Sequence, residues 1–204
     1  MCNPFDRLQL ANLEVTGQDG YVDFVFVSGR PSLDLLGTRK WRRAPIAEQV
    51  EQLAEPSSVG QWALAAGLVD EPVPAGVNDW QSMLELREAS YRLLTAARED
   101  RRYRNADREL LNVEAAAAPV RLTLSGRTVR RTATAAELRS SLARDALELL
   151  GSDDLQYLKE CGNEACTRLY LDRSRGGNRR WCGMAECGNR AKVAAFRQRQ
   201  GSPT

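Results

Sequence analysis

The chain has 204 residues, 43% hydrophobic and 27% charged, enough for one sizeable soluble domain with a small appendage. It contains no histidine, which excludes Ser–His and Cys–His nucleophile pairs, histidine metal ligands and the usual general base near neutral pH. The net charge of +2 conceals a division, because residues 1–156 carry 19 basic against 23 acidic side chains and residues 157–204 carry 10 against 4. Such a tail suits an acidic partner, nucleic acid first, with a solvated basic face as the plainer reading. No apolar run approaches the roughly 18 residues of a membrane span. The N-terminal stretch lacks the basic flank and apolar core of a secretory signal, and no Gly-rich phosphate loop is present. A cytoplasmic protein without membrane contact is expected.

Taken in order, Tyr21 to Val27 is β-branched and aromatic and predicts a strand, ended by Gly29-Arg30-Pro31. Ser32 is placed to cap a short helix through Leu33, Leu35 and Leu36, and residues 45–53 suit another short helix. Ser57 or Ser58 would cap a helix carrying Val59, Trp62 and Ala63, closed near Gly67. After a Pro/Gly loop, Asn78 or Asp79 opens the longest helical pattern, with Trp80, Leu84, Arg87, Tyr91 and Leu94 at three- and four-residue spacing as far as about Arg104. Arg98, Arg101, Arg102 and Arg104 crowd its end, where cations complement the helix dipole.

A helix is expected over Asp107 to Ala118. Val120–Leu124 and Thr128–Arg131 around Ser125-Gly126 then read as a hairpin. Thr134 with Glu137 forms a capping box for a helix through Leu138, Leu142, Ala146 and Leu149. Gly151–Asp154 breaks the pattern, and the domain boundary is expected near residues 151–156.

Four of the five cysteines, Cys161, Cys166, Cys182 and Cys187, fall in 27 residues with the spacing C-x4-C-x15-C-x4-C. Gly162, Gly183 and Gly188 beside them allow tight turns that aim paired sulfurs at one centre. Four thiolates suit a single closed, structural zinc ion; two disulfides, an iron–sulfur cluster and a thiol redox switch are the alternatives. Cys2 reads as a bystander. Between the pairs, residues 168–172 alternate like a strand, 175–178 form a turn and 179–181 return, a hairpin between two metal knuckles. Residues 189–199 read as a helix whose Val193 and Phe196 pack on that hairpin, and metal would supply the stability so small a module lacks.

The strings Cys161-Gly162-Asn163-Glu164-Ala165-Cys166, Arg179-Arg180-Trp181-Cys182 and Cys187-Gly188-Asn189-Arg190 resemble the CGNR zinc finger family. That module follows an N-terminal domain called ABATE, which Ser32-Leu33-Asp34-Leu35, Trp62-Ala63 and Leu86-Arg87-Glu88 resemble more loosely. The resemblance implies a bacterial, stress-associated transcription regulator with zinc on Cys161, Cys166, Cys182 and Cys187. It divides the chain into an ABATE-like domain at 1–154 and a zinc finger at 155–204. The fold class expected is α+β: a predominantly helical N-terminal domain with small strands, then a zinc-stabilised hairpin plus helix of treble-clef or ribbon type.

The leading functional expectation is a regulator whose zinc module binds nucleic acid, DNA before RNA. Arg179 and Arg180 lead the contacts, with Arg175, Arg190, Lys192, Arg197 and Arg199 in support; arginine suits phosphate forks and guanine edges. Arg190 would equally serve a structural pairing with Asp172, and Trp181 reads as a lid over the metal. The N-terminal domain would sense a small effector, bind a partner or mediate homodimerisation. The alternative is a protein-interaction adaptor scaffolded by zinc. No enzyme is expected, because a four-sulfur site leaves no open coordination position.

Overall fold

The computed structural model describes residues 23–200, apart from the side chains of residues 185–186, 194–196 and 198–200. Cys2 and the first two residues of the expected 21–27 strand lie outside the described residues. The remainder of that segment is extended but joins no sheet. Side chains occupy its backbone instead: Gln52 donates to the Asp23 carbonyl, and the Val27 and Ser28 amides donate to Asp34. With those groups engaged, no ladder can form along it.

The first helix, α1 (Pro31–Leu36), begins with proline at its first turn, where the missing N–H costs nothing. Ser32 does not cap it; its amide donates to Asp145 at 2.9 Å. The residues expected to be helical over 45–53 form only a 3-10 turn (Ile46–Glu48), because β1 (Arg39–Lys40) and β2 (Val50–Glu51) pair antiparallel across it. The second helix, α2 (Pro56–Ala65), is entered through Glu55 rather than a serine. It closes at Gly67, whose φ of +68° suits the left-handed residue of a Schellman ending, with the Leu68 amide donating to Ala63 at 3.0 Å.

The long helix α3 (Val77–Arg98) opens with the Gly76 amide donating to Asp79. It stops six residues before the expected end, because Asp100 takes a φ of +51° and the Arg101 amide turns back to the Ala96 carbonyl. Next come α4 (Asn105–Ala116), the hairpin β3 (Arg121–Ser125) and β4 (Thr128–Thr132), and α5 (Ala135–Leu150). The capping box that opens α5 forms as expected, Glu137 N–H to Thr134 Oγ1 and Thr134 N–H to Glu137 Oε2.

These helices enclose a main core of Val59, Trp62, Met83, Leu86, Leu93, Leu111, Leu138 and Leu142. Within its wall, Arg87 is 1% exposed and makes a two-pronged contact with Glu51 at 2.6 Å, a third bond to Glu88 and a fourth to Thr38. A buried guanidinium is tolerable only with its donors so matched. The remaining strands and α-helix are β5 (Leu158–Glu160), β6 (Leu169–Leu171) and α6 (Asn189–Gln200), with a 3-10 turn at Asp153–Tyr157 and a π-helical turn at Met184–Gly188. β5 and β6 pair antiparallel, and their Leu158, Leu169 and Leu171 enter a second core with Leu33, Leu36, Leu94 and Leu149. The C-terminal segment is thus docked on the helices through shared apolar surface, whose burial stabilises it at roughly 25 cal/mol per Å².

Candidate metal centre

The strand pair expected between the two cysteine knuckles is displaced. β6 pairs with β5, so the hairpin brackets the first knuckle, and residues 179–181 form no strand. The returning chain is held by single bonds instead: Tyr170 OH donates to the Arg179 carbonyl, Arg179 N–H to Asp172, and Gly162 N–H to the Arg180 carbonyl.

This arrangement brings Cys161, Cys166, Cys182 and Cys187 together. All four are buried and unbridged, and their sulfurs lie within 4.8 Å of one another. Cys166 and Cys182 sulfurs are 3.7 Å apart, and four sulfurs placed tetrahedrally at about 2.3 Å from zinc would be about 3.8 Å apart. Around them, the Cys182 amide donates to Cys161 Sγ at 3.4 Å and Asn163 Nδ2 to Cys187 Sγ at 3.8 Å. Asn163 also shapes the first knuckle, accepting from the Cys166 amide through its carbonyl and from the Ala165 amide through its side chain. Gly162 suits the close approach there, since a Cβ would stand 3.0 Å from the Arg180 carbonyl oxygen and that chain would have to give slightly.

The four sulfurs are close enough to bias one another's ionisation. The Cys161 thiol is pushed far down, chiefly by its contact with Cys166. Cys166, Cys182 and Cys187 are pushed far up, each chiefly by Cys161. A bound divalent cation would favour the thiolate form of all four, since cysteine ligates metal deprotonated. The four cysteines can hold one zinc ion, a closed site of structural type.

The wall of this centre is where the sequence reading needs most revision. Trp181 packs over the sulfurs as expected, and so does Trp41, from the loop after β1. Arg190 does not pair with Asp172; its guanidinium lies 4.5 Å from the centre of the Trp41 ring. Asp172, 2% exposed, accepts from Lys159 at 2.7 Å, from Ser174 and from the Arg179 amide, and these bonds, Lys159 foremost, hold its carboxyl well below the usual range. Tyr170 is fully buried, which pushes its hydroxyl up to about 12.

The expected contact residues separate into distinct environments. Arg179 turns inward: its guanidinium stacks 4.3 Å from the Tyr170 ring centre and donates to the carbonyls of Trp181, Val27 and Cys182. Arg175 and Arg180 are exposed, Arg180 lying 5.1 Å from the Trp181 ring centre. Arg190, Lys192 and Arg197 are exposed on α6, where Val193 is also 48% exposed rather than packed on the hairpin. The side chains of Phe196 and Arg199 lie outside the described residues. Sequence reasoning missed Arg168, which is buried and donates to the Val25 and Gly37 carbonyls, and it missed Trp41. An aromatic inside the basic run Arg39-Lys40-Trp41-Arg42-Arg43 was the available signal.

Fold and site define a helical domain carrying a four-cysteine zinc-binding module docked against it. The family model described as "Putative stress-induced transcription regulator", ABATE, matches residues 29–153, and the chain belongs to that family. The CGNR zinc finger model matches residues 157–200. A search of curated proteins found no match. Among the described residues, no helix is long and apolar enough to cross a membrane.

Proposed function

We propose that the chain is a cytoplasmic, zinc-dependent transcription regulator whose zinc module binds DNA, and that it is not an enzyme. One observation carries this reading. Arg175, Arg180, Arg190, Lys192 and Arg197 are exposed and form no ion pair among the described residues. Most arginines described in the N-terminal domain meet a carboxylate, among them Arg30, Arg87, Arg92, Arg121, Arg130 and Arg139, whereas Arg102, Arg108, Arg127 and Arg144 form no ion pair among the described residues. Cations left free on one small module suit phosphate, and phosphate contacts supply affinity and register more than sequence choice.

In this reading zinc fixes the knuckles, while Arg168 and Arg179 are internal braces that orient the exposed cations. The N-terminal domain holds the module in place. Its cleft of about 290 Å³ beside Pro31, Leu142 and Asp145 offers little to an effector, because Asp145 already binds Arg30 and the Ser32 amide.

The test is charge reversal at exposed positions, Arg180→Glu with Lys192→Glu, in the zinc-loaded chain. DNA affinity should fall at least tenfold with zinc content unchanged. Unaltered affinity would overturn the assignment of the module as the DNA-binding face and favour an adaptor.

A further inference from the structure

We infer that the DNA-binding face continues from the zinc module onto the N-terminal domain, through Arg43 after β1 and Arg101 and Arg102 after α3. This inference rests on the function proposed above and names a further part of the same surface.

The contacts run without a break from one segment to the other. Arg190, in the first turn of α6, stacks on Trp41 at 4.5 Å. Two residues along the same loop, Arg43 reaches Glu160, the residue before the first zinc ligand, at 2.5 Å. Glu160 also receives Arg98 from the last turn of α3, at 2.6 Å. Arg98 in turn shares Glu99 with Arg101, at 2.7 and 2.6 Å. Three arginines thus converge on two carboxylates. Arg102 beside them is exposed and makes no ion pair among the described residues.

Complementing the α3 dipole does not account for this cluster. Dipole effects fade within one helical turn, yet the Arg98 guanidinium leaves its own helix to meet β5, and Arg101 and Arg102 lie beyond the helix end. The surplus positive charge borders the zinc module at Glu160, beside the first cysteine ligand. Neighbouring cations act on one polyanion because screening in about 0.1 M salt extends over about 10 Å. Arg43, 52% exposed at its side chain, retains donors for a phosphate while holding Glu160. Double-stranded DNA supplies regularly spaced charge to both sides of this junction at once, which a short acidic peptide does not.

The experiment is a salt titration of duplex binding by fluorescence anisotropy with the full, zinc-loaded chain. Four forms are compared with wild type: Arg43→Gln, Arg43→Lys, Arg101→Gln with Arg102→Gln, and Lys192→Gln with Arg197→Gln. Each lost phosphate contact should reduce the slope of log affinity against log salt by about 0.9. Arg43→Gln should therefore lose about one unit and the Arg101/Arg102 pair between one and two, with one zinc retained per chain. Arg43→Lys should keep the slope, since a point charge suffices. Wild-type slopes in both Arg43→Gln and the Arg101/Arg102 pair, alongside a reduced slope in the Lys192/Arg197 pair, would overturn the inference and leave the zinc module as the DNA-binding face. Absence of binding by wild type at low salt would overturn the proposed function, and the extension with it.

Discussion

The guanidinium of Arg190 lies over the Trp41 ring, 4.5 Å from its centre, and this stack joins the start of α6 to a loop of the helical domain. A cation in the first turn of a helix is disfavoured by the dipole, and a bulky residue at a φ of +59°, as Trp41 has, carries strain of about 1–3 kcal/mol. Both costs are offset by the stack and by Trp41 packing on the cysteine cluster. Arg190→Ala should accordingly lower stability by about 0.5–1 kcal/mol, measured by urea denaturation of the zinc-loaded chain. An unchanged midpoint would mean that the ring and guanidinium contribute nothing to docking.

Arg179 and its neighbour Arg180 should behave differently. Removing the Arg179 side chain leaves three carbonyls, of Trp181, Val27 and Cys182, without their donor. Arg179→Ala should cost about 3 kcal/mol, and weaken zinc retention in a chelator competition. Arg180→Ala should leave both properties near wild type and lower DNA affinity alone. Equal effects of the two substitutions on stability would contradict the division into brace and contact.

Gly37 offers a test of how the two segments interlock. A Cβ at this position would stand 2.3 Å from Nη1 of Arg168, whose guanidinium is fixed by the Val25 and Gly37 carbonyls. Gly37→Ala should therefore destabilise the chain by about 1–3 kcal/mol, although glycine-to-alanine changes usually favour the folded state. Combining it with Arg168→Ala should remove most of the added cost, since the clash is with that side chain.

Asp172 sets a pH dependence of known sign. Its carboxyl titrates below the ordinary aspartate value of 3.8, first because Lys159 bonds it and then because Ser174 and the Arg179 amide do. A depressed folded value contributes stability fully above 3.8, and that contribution disappears as the pH falls toward the folded value. Asp172→Asn should thus be less stable than wild type by a constant margin across neutral and mildly acidic pH, the gap closing only below 3.8. A gap that vanished already in mildly acidic solution would show that another group carries the dependence.

Local chemistry explains which features the sequence disclosed. The Thr134–Glu137 capping box, the Gly67 helix ending, the 121–132 hairpin and the four cysteines each depend on residues a few positions apart or on one ligand chemistry. The misread features depend on distant partners. Residues 23–27 have strand composition, but Gln52, Asp34, Arg168 and Arg179 take up their backbone groups. Of the expected strand 168–172, residues 169–171 do form one, yet Leu158, Lys159 and Glu160 pair with it in preference to the segment after the turn. In the candidate site, the cysteine spacing identified the ligands and could not separate Arg179, facing Tyr170, from Arg180, facing outward. Two adjacent arginines are equivalent in composition, and only the packing around them decides which one is buried.

The most direct measurement of the central claim is duplex DNA affinity of the full chain, with its zinc and after chelation, across a range of salt. The account predicts salt-dependent binding with a slope of several units for the zinc-loaded chain, about −0.9 for each phosphate neutralised, and a large loss of affinity when zinc is withdrawn and the knuckles around Cys161, Cys166, Cys182 and Cys187 open. Binding that is absent at low salt, or that persists unchanged without zinc, would contradict it.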